Sequence, residues 1–532
     1  MWKKNWRSTI IIASILLLLV PALLINLGLM TFIDDEAIRS LVALEMKLSG
    51  NYLVPTLNGD LYLNKPPLFN WILLVYFNLL GGFSEFNARL ATVVSLLGYT
   101  ATIFWFFRKH YGFRKAFINA FALVTCGRIL LWDSHLALID ITFSWVIFTG
   151  FMVIYHQFER GRWYRLFIWS YALAAVAFLL KGLPAVVFQG VTLLTWFGYR
   201  REWKRLLSIP HVVGLLVFVL LTGSYYYAYH QQQPLDDLFL KLFTESSKRT
   251  AIQYGLGSAV LHFFTFPLEM IYHFLPWSLM CVYLFDARVW EVIRRDRFIT
   301  YNALVFLTNI LLYWTSVEVY PRYLLMHAPL IFSVYLHLHF HHQALETWQF
   351  KTVKTLLFAL LIPFALASFL PLLWDRLQVE PMHWLKGSVL AILMTASVWM
   401  YLYWKKTRLL TLVLAMLVIR LGFDWFVLPD RFRNDWGSLC KESTLSIGRQ
   451  LKYIPSLYIY KYTEFQPTNA YYLTWERQKI VRRKHSDFRP GEYLIVSQKL
   501  YPDVRLDAIG PLYVRLENRT LRVGRLLRRP RE

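Results

Sequence analysis

Apolar runs of about 17–22 residues, long enough to cross a bilayer, recur along the chain as far as residue 429, separated by short polar loops. The first, Thr9 to Met30, follows Trp2-Lys3-Lys4-Asn5-Trp6-Arg7. It is too long for the apolar part of a signal peptide and lacks a small-x-small cleavage site, so it reads as a retained helix. A second run begins near Arg89 and ends before Arg108-Lys109-His110, and a third covers about 117–131. A fourth starts at Asp140, a fifth and sixth flank Lys181-Gly182, and a seventh runs from Val212 to Tyr229. Continued to residue 429, the alternation predicts a polytopic α-helical membrane protein with about thirteen spans.

The loops set the orientation. Glu159–Arg162, Tyr199–Arg205, Arg294–Arg297, His341–Lys354 and Lys405–Arg408 fall on one side and are basic, while the acidic loops fall mostly on the other. The positive-inside rule then puts the N-terminus in the cytoplasm and the first long loop, 31–88, outside. From residue 430 the pattern changes. Runs such as YIPSLYIYKY and EYLIVSQKL, broken by Gly and Pro, read as strands of a small α/β domain over 430–532, on the outer side.

Loop 31–88 has its own pattern. Asp34, Asp35 and Glu36 open an amphipathic helix with Ala37, Ile38, Leu41, Val42, Leu44 and Leu48 on its apolar positions, and Ser49-Gly50 stops it. Two short extended runs flank Asn58-Gly59, a pair suited to a tight hairpin. Lys65-Pro66-Pro67 then opens a second helix, with Pro in its first turn.

Composition agrees with a membrane protein: 57% hydrophobic, 17% aromatic, mean hydropathy +0.39. The formal charge of +24 lies largely in loops between apolar runs, so lipid head groups rather than nucleic acid are its counter-charge. Three cysteines, Cys126, Cys281 and Cys440, support neither a disulfide framework nor a thiolate metal site. His337, His339, His341 and His342 lie at the inner end of a span and read as an interfacial helix end rather than a ligand set.

Folding up the alternation brings Asp35, Lys65, Arg89, Asp133, His135, Asp140, Lys181, Glu245, Arg249, Arg322 and Tyr323 to the outer face. Ionisable groups at span ends are costly unless paired, hydrated or functional. For Asp35 two readings stand together: capping of the helix that it opens, and catalysis. Carboxylates beside several cations suit a reaction that removes a proton at one place and holds a phosphate at another. Sugar transfer from a polyprenyl phosphate is such a reaction. A lipid-linked-sugar flippase is the rival, but its charges belong at mid-bilayer. An O-antigen ligase or polymerase, using a diphosphate donor, is the nearest enzymatic alternative.

DDEAIRSLVALEMKLSGNYLVPTLNGDLYLNKPPLFNW resembles the first outer loop of the bacterial aminoarabinose (lipid A) transferases and the related protein O-mannosyltransferases, members of the GT-C superfamily. The resemblance continues through Glu85–Leu90, Lys181-Gly182, Leu275–Ser278 and Pro321–Leu325. It implies a GT-C fold with juxtamembrane helices, an inverting glycosyltransferase of the inner membrane, and a polyprenyl-phosphate sugar as donor. It also implies Asp35 as catalytic base, Asp140 as second carboxylate, and Lys65, Arg249, Arg322 and Tyr323 at the donor phosphate. Glu36, Arg89, His135, Lys181 and Glu245 are further cavity candidates. The acceptor expected is lipid A, another envelope glycan, or a protein Ser/Thr, and a monomer is expected. Asn64 stands where the family has Glu before Lys-Pro-Pro, and Ser246 follows Glu245 where the aminoarabinose transferases have His. Those departures predict no metal and no cofactor, and Ile38-Arg39 departs where donor-sugar selection is expected.

Overall fold

The computed structural model describes residues 6–236, 240, 241, 244, 256–515 and 519–528. Among these, eight helices are long and apolar enough to cross a membrane, compared with the thirteen or so spans read from the pattern. Part of the difference lies in α4, Glu85–Val124, which takes in both the second and the third expected spans. A straight helix of that length would run about 60 Å, twice the hydrocarbon thickness. The chain turns at Gly112 (φ 72°, ψ 177°), a left-handed backbone that favours glycine. Other bundle helices are shorter than a full span, as Pro184–Tyr199 is.

The 31–88 loop follows its sequence pattern closely. Helix α1 spans Trp6–Leu24, and α2 covers Asp34–Ser49, ending at Gly50 (φ 70°). Ala37, Leu41, Val42 and Leu44 of α2 are fully buried. Strands β1 (Thr56–Leu57) and β2 (Asp60–Leu61) pair across Asn58 and Gly59, both with positive φ, as a twisted two-residue hairpin requires. Glu45 of α2 fastens this hairpin, accepting from the Asn58 and Gly59 N–H groups and from Thr56 Oγ1 at 2.7–3.2 Å. Burial raises its pKa, against those hydrogen bonds. Helix α3, Leu68–Leu79, starts one residue past Pro67, which serves as its N-cap instead of lying in the first turn.

The C-terminal region carries a mixed five-stranded sheet, built from β3 (Leu457–Tyr460), β4 (Arg482–Lys484), β5 (Tyr493–Val496), β6 (Leu506–Val514) and β7 (Arg519–Leu526). Its order is β4-β3-β5-β7-β6. Strand β3 pairs parallel with β4 and β5, while β7 pairs antiparallel with β5 and β6. Helices Trp436–Gln450 and Pro467–Arg477 pack together, and the second lies on α2. Tyr472 Oη accepts from the Phe32 N–H (3.1 Å) and donates to Glu85 (2.6 Å), while Lys441 pairs with Glu85 at 2.5 Å. The domain thereby braces the segment that opens α2.

Candidate active site at the domain face of the bundle

Four separate elements bring charge to one point, on the side of the bundle that carries the C-terminal domain. Asp35 stands in the first turn of α2 and Asp140 in the first turn of helix Ile139–Phe158, where the helix dipole favours a carboxylate. Lys181 ends helix Trp163–Lys181, where the dipole favours a cation, and Arg322 sits in the short turn Pro321–Leu324. The Arg322 guanidinium joins the two acids: Nη2 is 3.1 Å from Asp35 Oδ2, and Nε is 3.5 Å from Asp140 Oδ2. Lys181 Nζ donates to Asp140 Oδ1 at 2.5 Å and lies over the Tyr323 ring, 3.9 Å from its centroid. The Arg322, Asp140 and Lys181 side chains are about a tenth exposed, whereas that of Asp35 is 44% exposed. Burial pulls the Arg322 pKa down, but Asp140, Tyr323 and Asp35 more than offset this and leave it raised. Asp35 is therefore the carboxylate open to an incoming group, and Asp140 the sequestered one.

The capping role falls to Glu36, not Asp35. Glu36 Oε1 accepts from the Ile33 N–H at 3.0 Å, its Oε2 accepts from the Ala137 N–H at 2.9 Å, and Arg89 holds both oxygens. Arg89 also donates to the carbonyls of Leu27, Met30 and Thr31. Glu36 is wholly buried, so it does not line a cavity as the sequence reading expected; with Arg89 it locks the entry to α2 and spares Asp35, which is held by Arg322, from that capping role.

Of the other expected residues, His135 and Arg89 line a cavity of about 400 Å³ beside the α2 entry. Lys65 lines a small pocket with Pro55, Tyr62, Tyr225 and Tyr226. Glu245 and Arg249 lie outside the described residues. Asp133 is paired with Arg128 at 3.0 Å, and burial pushes its carboxyl up to about 6.

A buried cluster escaped the sequence reading. Arg420 and Asp424 pair at 2.8 Å, both fully buried, and Asp424 falls in a π-helical segment, Phe423–Val427. Arg420 also donates to the Leu130 carbonyl, to Ser134 Oγ (2.9 Å) and toward His135 Nδ1 (3.1 Å). With Nδ1 accepting, the imidazole proton belongs on Nε2, which lies 3.2 Å from Asp424 Oδ1. Burial, reinforced by Arg420, holds the His135 pKa well below its ordinary value, so the ring is neutral. Two charges inside an otherwise apolar run were the available signal. In the histidine group, His339 bonds Tyr283 and His342 bonds Thr347. Among the described residues no three His, Cys, Asp or Glu side chains are grouped to hold a metal.

Comparison with solved structures fixes the architecture. ArnT from Cupriavidus metallidurans superimposes with a TM-score of 0.70 over 98% of both chains, at 18% identity, in its apo state and bound to undecaprenyl phosphate. The chain has the ArnT fold. In sequence, residues 64–227 match the family model described as dolichyl-phosphate-mannose-protein mannosyltransferase. An uncharacterized protein of Aquifex aeolicus is 27% identical over 59% of this chain and 61% of its own length. The undecaprenyl phosphate-alpha-4-amino-4-deoxy-L-arabinose arabinosyl transferase 2 of Pseudomonas fluorescens is 25% identical over 60% of this chain and 57% of its own. The chain thus spans about three fifths of the length of the curated relatives it matches. It is related to the ArnT and protein mannosyltransferase group, as its motifs implied, and the ArnT fold extends beyond the matched segments to the C-terminal domain.

Proposed function

We propose that the protein is an integral-membrane glycosyltransferase that moves a sugar from a polyprenyl-phosphate donor, undecaprenyl phosphate being the carrier, to an envelope acceptor with inversion. The observation that carries this reading is the Asp35–Arg322–Asp140–Lys181 chain. A half-exposed carboxylate stands beside a buried cationic pair, at the end of a bundle whose fold is that of a protein solved with undecaprenyl phosphate. Asp35 takes the proton of the acceptor hydroxyl or phosphate as its oxygen bonds to the anomeric carbon. The bond from that carbon to the donor phosphate breaks, and the phosphate leaves as an anion needing positive charge rather than a proton. Arg322 and Tyr323 supply that charge and a donor, together with Lys65 and Arg249. Asp140 holds Arg322 and Lys181 in place.

The proposal includes a bacterial inner-membrane location, a cytoplasmic N-terminus, a periplasmic C-terminal domain, a monomer, and catalysis without metal. Lipid A or another envelope glycan is the acceptor class proposed. The matched mannosyltransferase family model favours protein Ser/Thr as the second reading. In nanodiscs, release of polyprenyl phosphate from lipid-linked sugars should depend on acceptor and be unaffected by chelator. Asp35→Asn should lower it about 10²- to 10⁴-fold, the usual worth of a general base. Release that survives Asp35→Asn would remove Asp35 from catalysis.

A further inference from the structure

Arg39 stands one helical turn beyond Asp35 on α2, and only 5% of it is exposed. Residues four apart on a helix share a face and lean toward its N-terminus, so Arg39 leans toward the end that carries Asp35, about 6 Å away along the axis. That spacing suits an ion pair between the two. Instead Asp35 pairs with Arg322, and Arg39 turns to Tyr62. Arg39 Nη1 donates to Tyr62 Oη at 2.7 Å, and its guanidinium lies 5.3 Å from the centroid of that ring. Among the described residues no carboxylate pairs with Arg39.

Other buried arginines of the bundle have their charge matched, Arg89 by Glu36 and Arg420 by Asp424. A guanidinium carries several N–H donors and a fixed charge. Tyr62 takes one of those donors and leaves the charge unmatched. Holding a charge away from water costs free energy unless an opposite charge joins it, and the face of one phenol ring offsets only part of that cost. The remaining donors are within reach of an entering group: no Arg39 nitrogen is at once unbonded and sealed from solvent, as Arg477 Nη1 is. Tyr62 lines the same pocket as Lys65, Tyr225 and Tyr226, which puts Arg39 on the donor side of the proposed site.

We propose that Arg39 selects a donor whose transferred sugar carries a carboxylate, a hexuronic acid, and pairs with that carboxylate when the donor is bound. This rests on the reading of the protein as a polyprenyl-phosphate glycosyltransferase, and it names the class of sugar. With the phosphate on Arg322 and Lys65 and the anomeric carbon beside Asp35, the far side of a pyranose ring comes one helical turn along α2, where Arg39 stands. A guanidinium meets a carboxylate with two parallel hydrogen bonds. A neutral sugar leaves the buried charge unmatched, and an amino sugar sets an ammonium against it. Arg39 takes no part in proton transfer; its role is to choose the sugar.

The test is donor binding by the purified full chain in detergent, without acceptor. The ligands are polyprenyl phosphate alone and polyprenyl-phosphate donors that differ only at the exocyclic carbon: a hexuronic acid, its methyl ester and the corresponding amino sugar. Affinity is read from the rise of the unfolding midpoint with ligand concentration. The acid should bind at least about tenfold more tightly than its ester, the worth of a charge-assisted hydrogen bond, and the amino sugar should bind most weakly. Arg39→Gln, which keeps a donor for Tyr62, should abolish the difference between acid and ester. Tyr62→Phe, which removes that bond and keeps the charge, should preserve it, whereas an arginine that only fastens Tyr62 would give both variants the same behaviour. Acid and ester binding alike in wild type, a comparison that needs no variant to fold, overturns the proposal. So does a preference for the acid that survives Arg39→Gln, or an Arg39-dependent gain shown by an acidic acceptor glycolipid and not by the donors. In each of these cases binding of polyprenyl phosphate leaves the glycosyltransferase reading standing. Failure of polyprenyl phosphate itself to bind would overturn that reading, and this one with it.

Discussion

Arg322 touches two carboxylates that arrive on different helices, and only a planar fork of donors can do so without moving. Arg322→Lys keeps the charge but reaches one acid at a time. We expect kcat/KM to fall at least about tenfold with a raised donor KM, and steady-state kinetics at varied donor will show it. Asp133 gives a pH signature. Its folded pKa of about 6 lies above the ordinary carboxylate value, so the folded protein binds this proton more tightly than the unfolded chain. Its contribution to stability is present at low pH and is lost as pH rises through about 6. The thermal midpoint of wild type should lose this increment as pH rises from about 4 to about 6, and Asp133→Asn should not. At this scale the sequence is legible where a side chain sits in a dense motif. Three adjacent acids gave a helix start, but only packing shows that Glu36 caps and Asp35 does not. Arg420 and Asp424 were submerged in the hydropathy of their surroundings, and pairing makes that burial tolerable.

At the scale of elements, local punctuation was readable and long-range contact was not. Ser49-Gly50 and Asn58-Gly59 require left-handed backbone, and that requirement is written in the residue types. The hairpin's attachment to Glu45 is a contact across the loop that no periodicity reports. Arg108-Lys109-His110, by contrast, marked a span boundary correctly, for the chain turns just beyond it at Gly112. The contact of helix Pro467–Arg477 with the α2 entry is another long-range feature. Tyr472→Phe would orphan the Phe32 N–H and remove a bond to Glu85. Leaving a buried donor unpaired costs about 1–3 kcal/mol. A lowered unfolding midpoint, with faster proteolysis of the C-terminal domain, is the expected result.

For the whole molecule, the alternation of apolar runs was enough to predict a multi-pass bundle, and the change of period near residue 430 pointed to the sheet domain. It could not predict that this domain would clasp the segment between α1 and α2, because Glu85, Lys441 and Tyr472 are remote in sequence. That clasp holds one side of a site whose two acids and two cations cancel when nothing is bound. On the proposed chemistry, such self-neutralisation imposes an order of events. While Arg322 holds Asp35, the base is occupied; a donor phosphate competing for Arg322 releases it. The donor should therefore bind first and the acceptor second, and the spent carrier should leave last. Product inhibition by polyprenyl phosphate should then be competitive against donor and noncompetitive against acceptor, and a random order would give competition with neither pattern fixed. On that chemistry, deprotonation of the acceptor is coupled to the presence of a sugar to transfer, because the base is freed from Arg322 only when a donor phosphate has taken its place.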